Sequence, residues 1–408
     1  MNADTIIIGA GAAGCYAAVT AARLGKSVLL FEANDRIGHK LSITGKGRCN
    51  LTNDCDLDTL TANIPRNPRF LYSAFSNCMP QDVMDFFEAE GVPLKTERGR
   101  RVFPVSDSAA DIVSALKQAM HDAGVRILHA RVQKLCIKDG VCTGVIADHT
   151  EYRAESVLIA TGGMSYPRTG SKGDGYRLAR QAGHTIVSPS PSLIPLETLE
   201  TDPKEMQGLS LKNVTLSVFS EDGDKNLFKE QGEMLFTHFG VSGPLVLSAS
   251  AVMDAEQAGR YRLSIDLKPA LSHEQLDLRI QRDFSEMKNR VLGNALGKLL
   301  PSSMIPVIIR AAGLSPELRI HDIKREERLS LGKTIKAYPL TVRAMRPIAE
   351  AIVTRGGVNV REIKPKTMES KLVPGLFFAG EVIDVDAFTG GYNLQIAFAT
   401  GYTAGMNL

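Results

Sequence analysis

The chain of 408 residues has no tryptophan, few cysteines and a formal net charge of only +3. That charge is too small to indicate nucleic acid by itself. The cysteines lie without a C-x-x-C pair, which argues against a zinc site or a redox-active disulfide and favours a reducing, cytoplasmic compartment. They are Cys15, Cys49, Cys55, Cys78, Cys136 and Cys142.

Residues 6–22 form an uncharged run. The glycines of that run, the absence of a basic segment before it and the strand pattern after it argue against a signal peptide or membrane anchor. The length exceeds what one hydrophobic core usually covers. We therefore expect a soluble protein of two or three domains.

The N-terminal segment has the pattern of a strand over residues 5–8, a glycine turn, a helix over 12–24 and a second strand over 27–31. This order is typical of a dinucleotide-binding unit. The alternative is a glycine-rich loop in an ordinary α/β protein, which does not account for the second strand ending on a carboxylate.

Gly9, Gly11 and Gly14 have the G-x-G-x-x-G spacing, and Glu32 ends the second strand. Gly9 is expected to form the tight turn, Gly11 to admit a pyrophosphate and Gly14 to let helix and strand pack closely. The helix N-terminus offers free N–H groups to the phosphates. Glu32 is suited to ribose hydroxyls and would repel a 2′-phosphate, so we do not expect NADP at this site.

The segment 34–53 is polar, glycine-rich and too irregular to predict a helix or strand. The chain then predicts helices and a β-meander in an order typical of FAD domains of the glutathione-reductase type. The helices are predicted over 80–90 and 108–123, and the strands over 125–130, 132–137, 141–147 and 156–160.

The middle of the chain has a different pattern. Residues 191–269 alternate like strands, whereas 272–335 are mostly helical and begin with a capping box of Ser272 and Gln275. The last segment predicts a buried strand over 376–379, then Gly380-Glu381, and a helix from Tyr392. We infer that it returns to the first domain and that the middle is an insertion.

Several motifs together resemble the FAD-dependent family that includes aminoacetone oxidase and the BaiN-type bile-acid reductase. They are GAGAAG at 9–14, TGKGRCNLTN at 44–53, ATGG at 160–163, FTHFGVSGP at 236–244 and the segment 356–401. The resemblance implies an α/β fold with a discontinuous Rossmann-like FAD domain, an inserted β-barrel-like domain and a helical subdomain. It also implies non-covalent FAD, but it does not fix the reaction.

The predicted domains are an FAD domain (1–190 and 352–408), a β-rich substrate domain (191–270 and 336–351) and a helical insert (271–335). The resemblance further implies a set of FAD-binding residues. It comprises Gly9, Gly11, Ala12, Ala13, Gly14, Glu32, Ala33, Lys40, Gly47, Arg48, Cys49, Asn50, Val132, Thr161, Gly162, Gly380, Glu381, Asp384, Gly391, Tyr392, Asn393 and Leu394.

Within this set, Tyr392 to Leu394 present N–H groups at a helix N-terminus, which would stabilise negative charge on the N1–C2=O edge of reduced flavin. The same groups also serve simply to begin a helix. Lys46 and Arg48 are suited to an anionic flavin or substrate, or else to ion pairs within the loop.

His238 is the candidate acid–base residue, because the resemblance places its loop near the flavin; a structural role is the alternative. His39 raises the question of covalent flavin, which we reject because the pattern of histidyl-flavin enzymes is missing. Cys49 is expected to pack rather than to act as a nucleophile. No metal site is expected.

Residues 319–346 contain eight Lys or Arg against three acids, a local charge of +5. Such a segment attracts anionic substrates, NAD(P)H phosphates or RNA. Without interleaved aromatics, a solvated helix face is the favoured interpretation, and we do not expect nucleic acid as a partner.

The sequence contains no second glycine-rich dinucleotide unit. A nicotinamide donor would therefore dock transiently at the flavin. The sequence predicts an FAD-dependent oxidoreductase that transfers hydride between a small organic substrate and FAD, with NAD(P)H as the donor. The alternatives are an O₂-using oxidase of an amine or alcohol, and an RNA-associated flavoprotein. The physiological substrate and the oligomeric state stay open.

Overall fold

The computed structural model describes residues 2–220 and 225–408. These residues form two compact units, Met1–Ser192 with Pro347–Leu408 and Leu193–Arg346. The second unit interrupts the first in the sequence. The finer division into three domains stays a prediction.

The strands and helices follow one another in an α/β order through the first unit, whereas the longer helices of the second unit lie between its strands β15 and β16. The strands are β1 (Asn2–Ile8), β2 (Val28–Glu32), β3 (Thr52–Asn53), β4 (Leu94–Glu97), β5 (Arg101–Pro104), β6 (Arg126–His129), β7 (Val132–Lys138), β8 (Val141–Ala147), β9 (Thr150–Ile159), β10 (Ile186–Ser192), β11 (Leu196–Thr198), β12 (Ser210–Phe219), β13 (Asn226–Phe236), β14 (Gly240–Ser242), β15 (Arg262–Asp266), β16 (Tyr338–Met345), β17 (Val353–Val358) and β18 (Leu376–Phe378). The helices are α1 (Ala12–Arg23), α2 (Leu57–Ala62), α3 (Tyr72–Asn77), α4 (Pro80–Ala89), α5 (Ala109–Asp122), α6 (Asp174–Gln181), α7 (Asp202–Glu205), α8 (Pro244–Ser250), α9 (His273–Glu286), α10 (Ile305–Ala311), α11 (Arg325–Lys336) and α12 (Tyr392–Gly405).

The first unit is built on a seven-stranded sheet of order β6-β2-β1-β9-β8-β7, in which β18 also pairs with β9. Strands β6, β2, β1, β9 and β18 run parallel, whereas β7, β8 and β9 form the antiparallel meander. Because the parallel strands are aligned, their carboxyl ends meet at one edge, which is where open α/β sheets bind ligands.

Helices α1 and α12 pack together against this sheet. Their close approach depends on Gly401, where an added Cβ would lie 2.4 Å from the carbonyl oxygen of Ala13. Around them, the ring of Tyr16 lies 4.7 Å from that of Phe86 and 5.2 Å from that of Phe398, measured between centroids. The C-terminal helix is thus a core element of the N-terminal fold.

Two small sheets complete the first unit. One has the order β3-β5-β4, and the other pairs β10 with β17. The pairing of β3 with β5 corrects the prediction that residues 34–53 contain no regular structure, and a 3-10 turn also forms at Leu41–Gly47. The short strand forms because it pairs with residues about fifty positions away, which leave no signal in the local pattern.

The second unit contains a closed barrel of order β11-β14-β13-β12-β15-β16 and the helices α9, α10 and α11. Alternate residues of β12 are buried, as expected of barrel strands. The predicted capping box begins α9, with Gln275 N donating to Ser272 Oγ and Ser272 N donating to Gln275 Oε1. The predicted α/β fold with an inserted barrel and a helical part is confirmed.

The basic segment 319–346 is not one helix face. It runs through a 3-10 turn at Ile320–Asp322, then helix α11, and ends in barrel strand β16. The prediction of a single solvated helix face was therefore wrong, because β16 is held by pairing with β11 and β15. Within residues 2–220 and 225–408, no helix has both the length and the apolar character required to span a bilayer.

Candidate functional site

The glycine turn lies at the carboxyl ends of the parallel strands. Gly9 has φ +104°, and its N–H donates to Phe31 O at 2.8 Å. A Cβ at Gly14 would lie 1.9 Å from Gly9 O, so helix and turn pack closely as predicted. A Cβ at Gly11 would meet no atom within 4 Å. The backbone at Gly11 therefore faces open space beside the first turn of α1, where a pyrophosphate is predicted to lie.

Glu32, at the end of β2, is buried and 8% exposed. Its Oε2 accepts the N–H of Ala10 at 2.8 Å, and its Oε1 accepts the backbone N–H and the side-chain amide of Asn34. The carboxylate thus fixes the glycine turn as well as the segment containing Ala33. A carboxylate has further lone pairs, so the predicted contact with the ribose is compatible with these bonds.

Lys40 and Glu381 form an ion pair. Lys40 Nζ lies 2.6 Å from Glu381 Oε2 and donates to Ser165 Oγ at 2.6 Å. Glu381 Oε1 accepts the N–H of Thr354 at 2.8 Å and the hydroxyl of Ser165 at 2.9 Å. Burial alone would raise the pKa of Glu381, but Lys40 and these donors outweigh it and hold the pKa below its usual range.

Gly163 lies against this network, because a Cβ there would lie 2.4 Å from Thr354 Oγ1 and 2.9 Å from Glu381 Oε1. The hydroxyl Thr354 Oγ1 in turn accepts the N–H groups of Met164 and Ser165. The predicted A-T-G-G strand end is therefore tied to β17 and to Glu381. Lys40 serves as the counter-ion of this carboxylate, and its predicted contact with ribose or phosphate stays a prediction.

The loop containing Gly47 to Asn50 turns through left-handed backbone at three successive residues, Gly45, Lys46 and Gly47, with φ of +57°, +60° and +85°. Arg48 is ion-paired with Glu97 and with Asp107, and its guanidinium lies 4.1 Å from the ring centroid of Phe103. The ion-pair alternative for Arg48 is thus what the structure shows, although its partners belong to other elements.

Cys49 and Asn50 follow this turn. Cys49 is fully buried, and burial raises the pKa of its thiol to about 12, which agrees with packing rather than nucleophilic chemistry. The amide oxygen of Asn50 is buried and has no hydrogen-bond partner among the described residues. The same is true of His39 Nδ1.

Val132 and Thr161 are two further residues of the predicted FAD-binding set. Val132 begins β7, and its carbonyl oxygen accepts a hydrogen bond from Arg177 at 3.2 Å. Thr161 follows β9, and its hydroxyl is buried without a partner in the described chain. Gly162 has φ +71°. The contact of Val132 with the adenine stays a prediction.

Asp384 is 7% exposed. It is held by Asn67, which lies in a segment that the sequence did not predict to be part of the site. Asn67 donates its amide to Asp384 O at 2.7 Å and to Asp384 Oδ2 at 3.1 Å. Oδ1 of Asp384 is buried without a partner among the described residues. Burial, opposed by Arg66, raises the pKa of Asp384. Arg66 also pairs with Asp386 at 3.0 Å.

The Asn67-Pro68 dipeptide is the signal that marks this segment, because Asn-Pro favours a turn. Asn67 indeed has φ +53°. Nothing in the local pattern indicates its contact with Asp384, which lies 317 positions later.

The N-terminus of α12 has no side-chain cap. Gly391 has φ +102°, and a Cβ there would lie 2.3 Å from Thr52 O. No side chain caps the helix at Gly391. The Asn393 amide instead accepts the N–H of Ala387 and donates to its carbonyl oxygen. Tyr392, Asn393 and Leu394 thus begin α12, and the positive end of a helix favours a nearby negative charge.

His238 lies in the second unit, in the turn between β13 and β14. The turn is closed by Thr237 N donating to Gly240 O at 2.9 Å, and the His238 ring lies 5.0 Å from that of Phe239. The side chain is exposed. Its role as an acid–base residue stays a prediction.

The first unit fits FAD. A bound dinucleotide would use three features of this unit. They are the empty space beside Gly11, the N-terminus of α12, which has no side-chain cap, and the Oδ1 atom of Asp384, which has no partner among the described residues. They lie on the glycine turn and on the segment that returns after nearly 400 residues. A Rossmann-type unit completed in this way defines an FAD-binding oxidoreductase.

Comparisons with known proteins agree. Residues 3–407 match the model of the HI0933-like protein Rossmann domain, and the chain belongs to this FAD-binding family. It is 31% identical over 410 residues to the "Ribosomal RNA dihydrouridine synthase" of Haemophilus influenzae, covering 99% of this chain and 98% of that one. It is 30% identical over 406 residues to the "3-dehydro-bile acid delta(4,6)-reductase" of Clostridium scindens, covering 98% and 97%.

Among solved structures, the fold is similar to that of the 3-ketosteroid delta1-dehydrogenase of Sterolibacterium denitrificans. The TM-score is 0.53 at 14% identity, with 99% of this chain and 98% of the other covered. At this identity the likeness shows the fold alone. The prediction of an FAD-dependent oxidoreductase of the family named from the motifs is confirmed.

Proposed function

We propose that this protein is a reductase that transfers hydride from NAD(P)H, through non-covalent FAD, to a carbon–carbon double bond conjugated to a carbonyl. The observation that carries the proposal is the chemistry shared by two relatives of nearly full length, a bile acid delta(4,6)-reductase and a dihydrouridine synthase. A 3-oxo-4,6-diene and the uracil ring each contain a C=C conjugated to a C=O, and each named product has lost such a bond.

When bound, FAD supplies a ring that accepts and donates hydride. The residues of this chain bind and orient it. The glycine turn and the first turn of α1 offer N–H groups to the pyrophosphate. Glu32 would hold the adenosine ribose, and the N-terminus of α12 would favour negative charge on the reduced ring, which would raise its reduction potential.

Residues around the carboxylates keep the site electrically balanced. Lys40 neutralises Glu381, so this partly buried carboxylate would not repel the pyrophosphate. Asp384, with its raised pKa and an unpartnered oxygen, is suited to hydrogen-bond a hydroxyl such as those of the ribityl chain. Because the sequence contains one dinucleotide unit, nicotinamide and substrate would use the flavin in turn.

An anaerobic stopped-flow experiment tests this proposal. NADH and NADPH are each mixed with the holoprotein, and bleaching of the flavin absorbance is followed. The reduced protein is then mixed with a 3-oxo-4,6-diene steroid or with oxygenated buffer. We expect fast bleaching by one nicotinamide and fast reoxidation by the dienone. Slow bleaching by both nicotinamides would contradict the reductase proposal. Reoxidation by O₂ alone with release of H₂O₂, together with no reduced uridine in RNA, would favour an oxidase.

A uridine in ribosomal RNA is a second candidate substrate. It is favoured by the 31% identity to the dihydrouridine synthase over 99% of this chain. The protein is incubated with NADPH and deproteinised ribosomal RNA, which is then digested to nucleosides. Mass spectrometry is expected to show a uridine gaining two mass units. An unchanged nucleoside profile, with active reduction of the dienone, would leave the small-molecule substrate as the function.

A further inference from the structure

A cluster of cations in the second unit arises from two segments that are about thirty residues apart. Leu292 N donates to Leu318 O at 2.8 Å, and Ile320 N donates to Arg290 O at 3.0 Å. Val291 and Arg319 form an antiparallel bridge between them. This main-chain pairing fixes the segment after α9 beside the segment before α11.

The side chains on these segments are basic. Lys288, Arg290 and Arg319, here called the 288–319 patch, are all exposed. The side chain of Arg319 extends to the other segment, where its guanidinium lies 3.4 Å from Asn289 O. His321 Nδ1 lies 3.1 Å from Lys288 O. The guanidinium of Arg319 is therefore held beside the backbone of residues 288–290.

The patch lacks acidic partners, whereas four of the eight cations of the basic segment 319–346 have them. Other side chains of that segment are neutralised: Arg328 by Asp277, Lys336 by Asp266, and Arg343 and Arg346 by Glu197. Among the described residues, no carboxylate lies within ion-pair distance of Lys288, Arg290 or Arg319.

Two acidic groups near the patch in the sequence already have basic partners. Glu286 pairs with Lys298 at 2.9 Å, and Asp322 lies 3.6 Å from His321 Nε2. The negative end of the α9 dipole favours a cation at Lys288. It does not account for Arg319, which belongs to a different element. The net result is a local positive surface with unsatisfied charge.

We propose that the 288–319 patch is a docking surface for the phosphates of RNA. Two guanidinium groups and an ammonium match phosphate oxygens, the guanidinium in a bidentate manner. Without aromatic side chains among its three residues, the patch would position an RNA rather than select its bases. This inference rests on the RNA form of the proposed function and assigns that substrate to particular residues.

The test compares two doubly substituted holoproteins. K288E/R290E changes two side chains for which the structure shows no partner, and the main-chain bonds of Arg290 remain. K212E/K229E is the matched control, because it places the same charge change on exposed lysines of barrel strands β12 and β13. Binding of deproteinised ribosomal RNA is measured at several salt concentrations, and thermal unfolding confirms that both variants fold.

We expect K288E/R290E to bind at least about tenfold more weakly near 100 mM salt. The slope of log Kd against log salt should fall by roughly 1 to 2, as for two lost phosphate contacts. The control should bind like the wild type. Equal weakening of both variants, no weakening of K288E/R290E, or no binding by the wild type would each overturn the inference.

Reduction of the dienone by NADPH is measured on the same three proteins. The patch lies outside the FAD-binding unit, so this activity should be equal in all of them. Loss of dienone reduction in the wild type would refute the reductase proposal, whatever the RNA titration shows. Retained reduction without RNA binding would refute the patch and the RNA candidate substrate, and would leave reduction of a small-molecule substrate in place.

Discussion

Lys40 Nζ lies 2.6 Å from Glu381 Oε2, although 341 positions separate the two residues in the sequence. Their side chains are 21% and 19% exposed. A pair so placed is screened only partly by water, so the loss of one partner leaves a charge that is costly to keep.

K40M is therefore expected to raise the pKa of Glu381 and to lower FAD affinity about tenfold or more at neutral pH. The uncompensated carboxylate would repel the pyrophosphate, and affinity should recover partly as the pH falls and Glu381 becomes protonated. FAD fluorescence titrations of the apoprotein at several pH values measure this. K40R, which keeps the charge, is the control, and a pH-independent loss in K40M would contradict the ion-pair explanation.

Substitution by alanine is expected to lower the free energy of unfolding at Gly14 but to change it little at Gly11. A Cβ at Gly14 would lie 1.9 Å from Gly9 O, so G14A should destabilise the apoprotein by about 3 kcal/mol. A Cβ at Gly11 meets nothing, and Gly11 has an ordinary φ of −83°. G11A should change the free energy of unfolding by less than about 1 kcal/mol.

FAD affinity separates the two roles further. G11A places a methyl group where the pyrophosphate is predicted, so it should weaken FAD binding at least about tenfold while the apoprotein melts normally. Chemical denaturation and flavin titration are run on the same preparations. An unchanged affinity in G11A would show that the phosphates do not approach this residue.

His184 is expected to make stability fall at acidic pH. Its side chain is buried between Glu362, 3.1 Å from Nδ1, and Ser370, whose hydroxyl lies 2.7 Å from Nε2. Burial lowers the pKa of His184, and Glu362 opposes this only in part. A lowered pKa in the folded state means that stability is complete above about pH 6.5 and is lost as the pH falls through the folded pKa.

Replacement of His184 by asparagine removes the titrating group. The slope of unfolding free energy against pH between about pH 5 and 6.5 should then fall, by at most about 1.4 kcal/mol per pH unit. H149N is the control, because His149 is exposed and asparagine tolerates its φ of +64°. Identical slopes in wild type and H184N would refute this role.

Cys136 is expected to react before the other thiols of the native protein. It is the cysteine with intermediate exposure, whereas the others are buried. Burial raises the pKa of Cys49 and of Cys78 to about 12, so little thiolate is present near neutrality. A disulfide-exchange reagent at pH 8 should titrate one thiol quickly, and C136S should abolish that phase. A fast phase that survives in C136S would contradict this order.

The sequence predicted features that depend on neighbouring residues. The spacing of Gly9, Gly11 and Gly14 specifies a turn because each glycine acts within one strand–helix unit. The capping box at Ser272 and Gln275 likewise spans one helical turn. Strands of the meander and the final helix α12 were also predictable, because each is a segment rich in apolar residues between turn residues.

Tertiary structure decided which charges are neutralised. Lys40 and Arg48 both looked available to an anion, yet their partners Glu381, Glu97 and Asp107 lie on other elements. Asn67 and Ser165 became part of the site only through residues more than 200 positions away. No local pattern records such pairs, because their free energy depends on distances set by the packed sheet.

The sequence by itself thus determined a dinucleotide-binding unit and the order of elements around it. The tertiary structure decided which distant residues hold the carboxylates of that site, and that four of the eight cations of the basic segment are ion-paired. The physical reason is range: turns and caps act within a few residues, whereas the balance of buried and exposed charge is fixed only when distant segments come together.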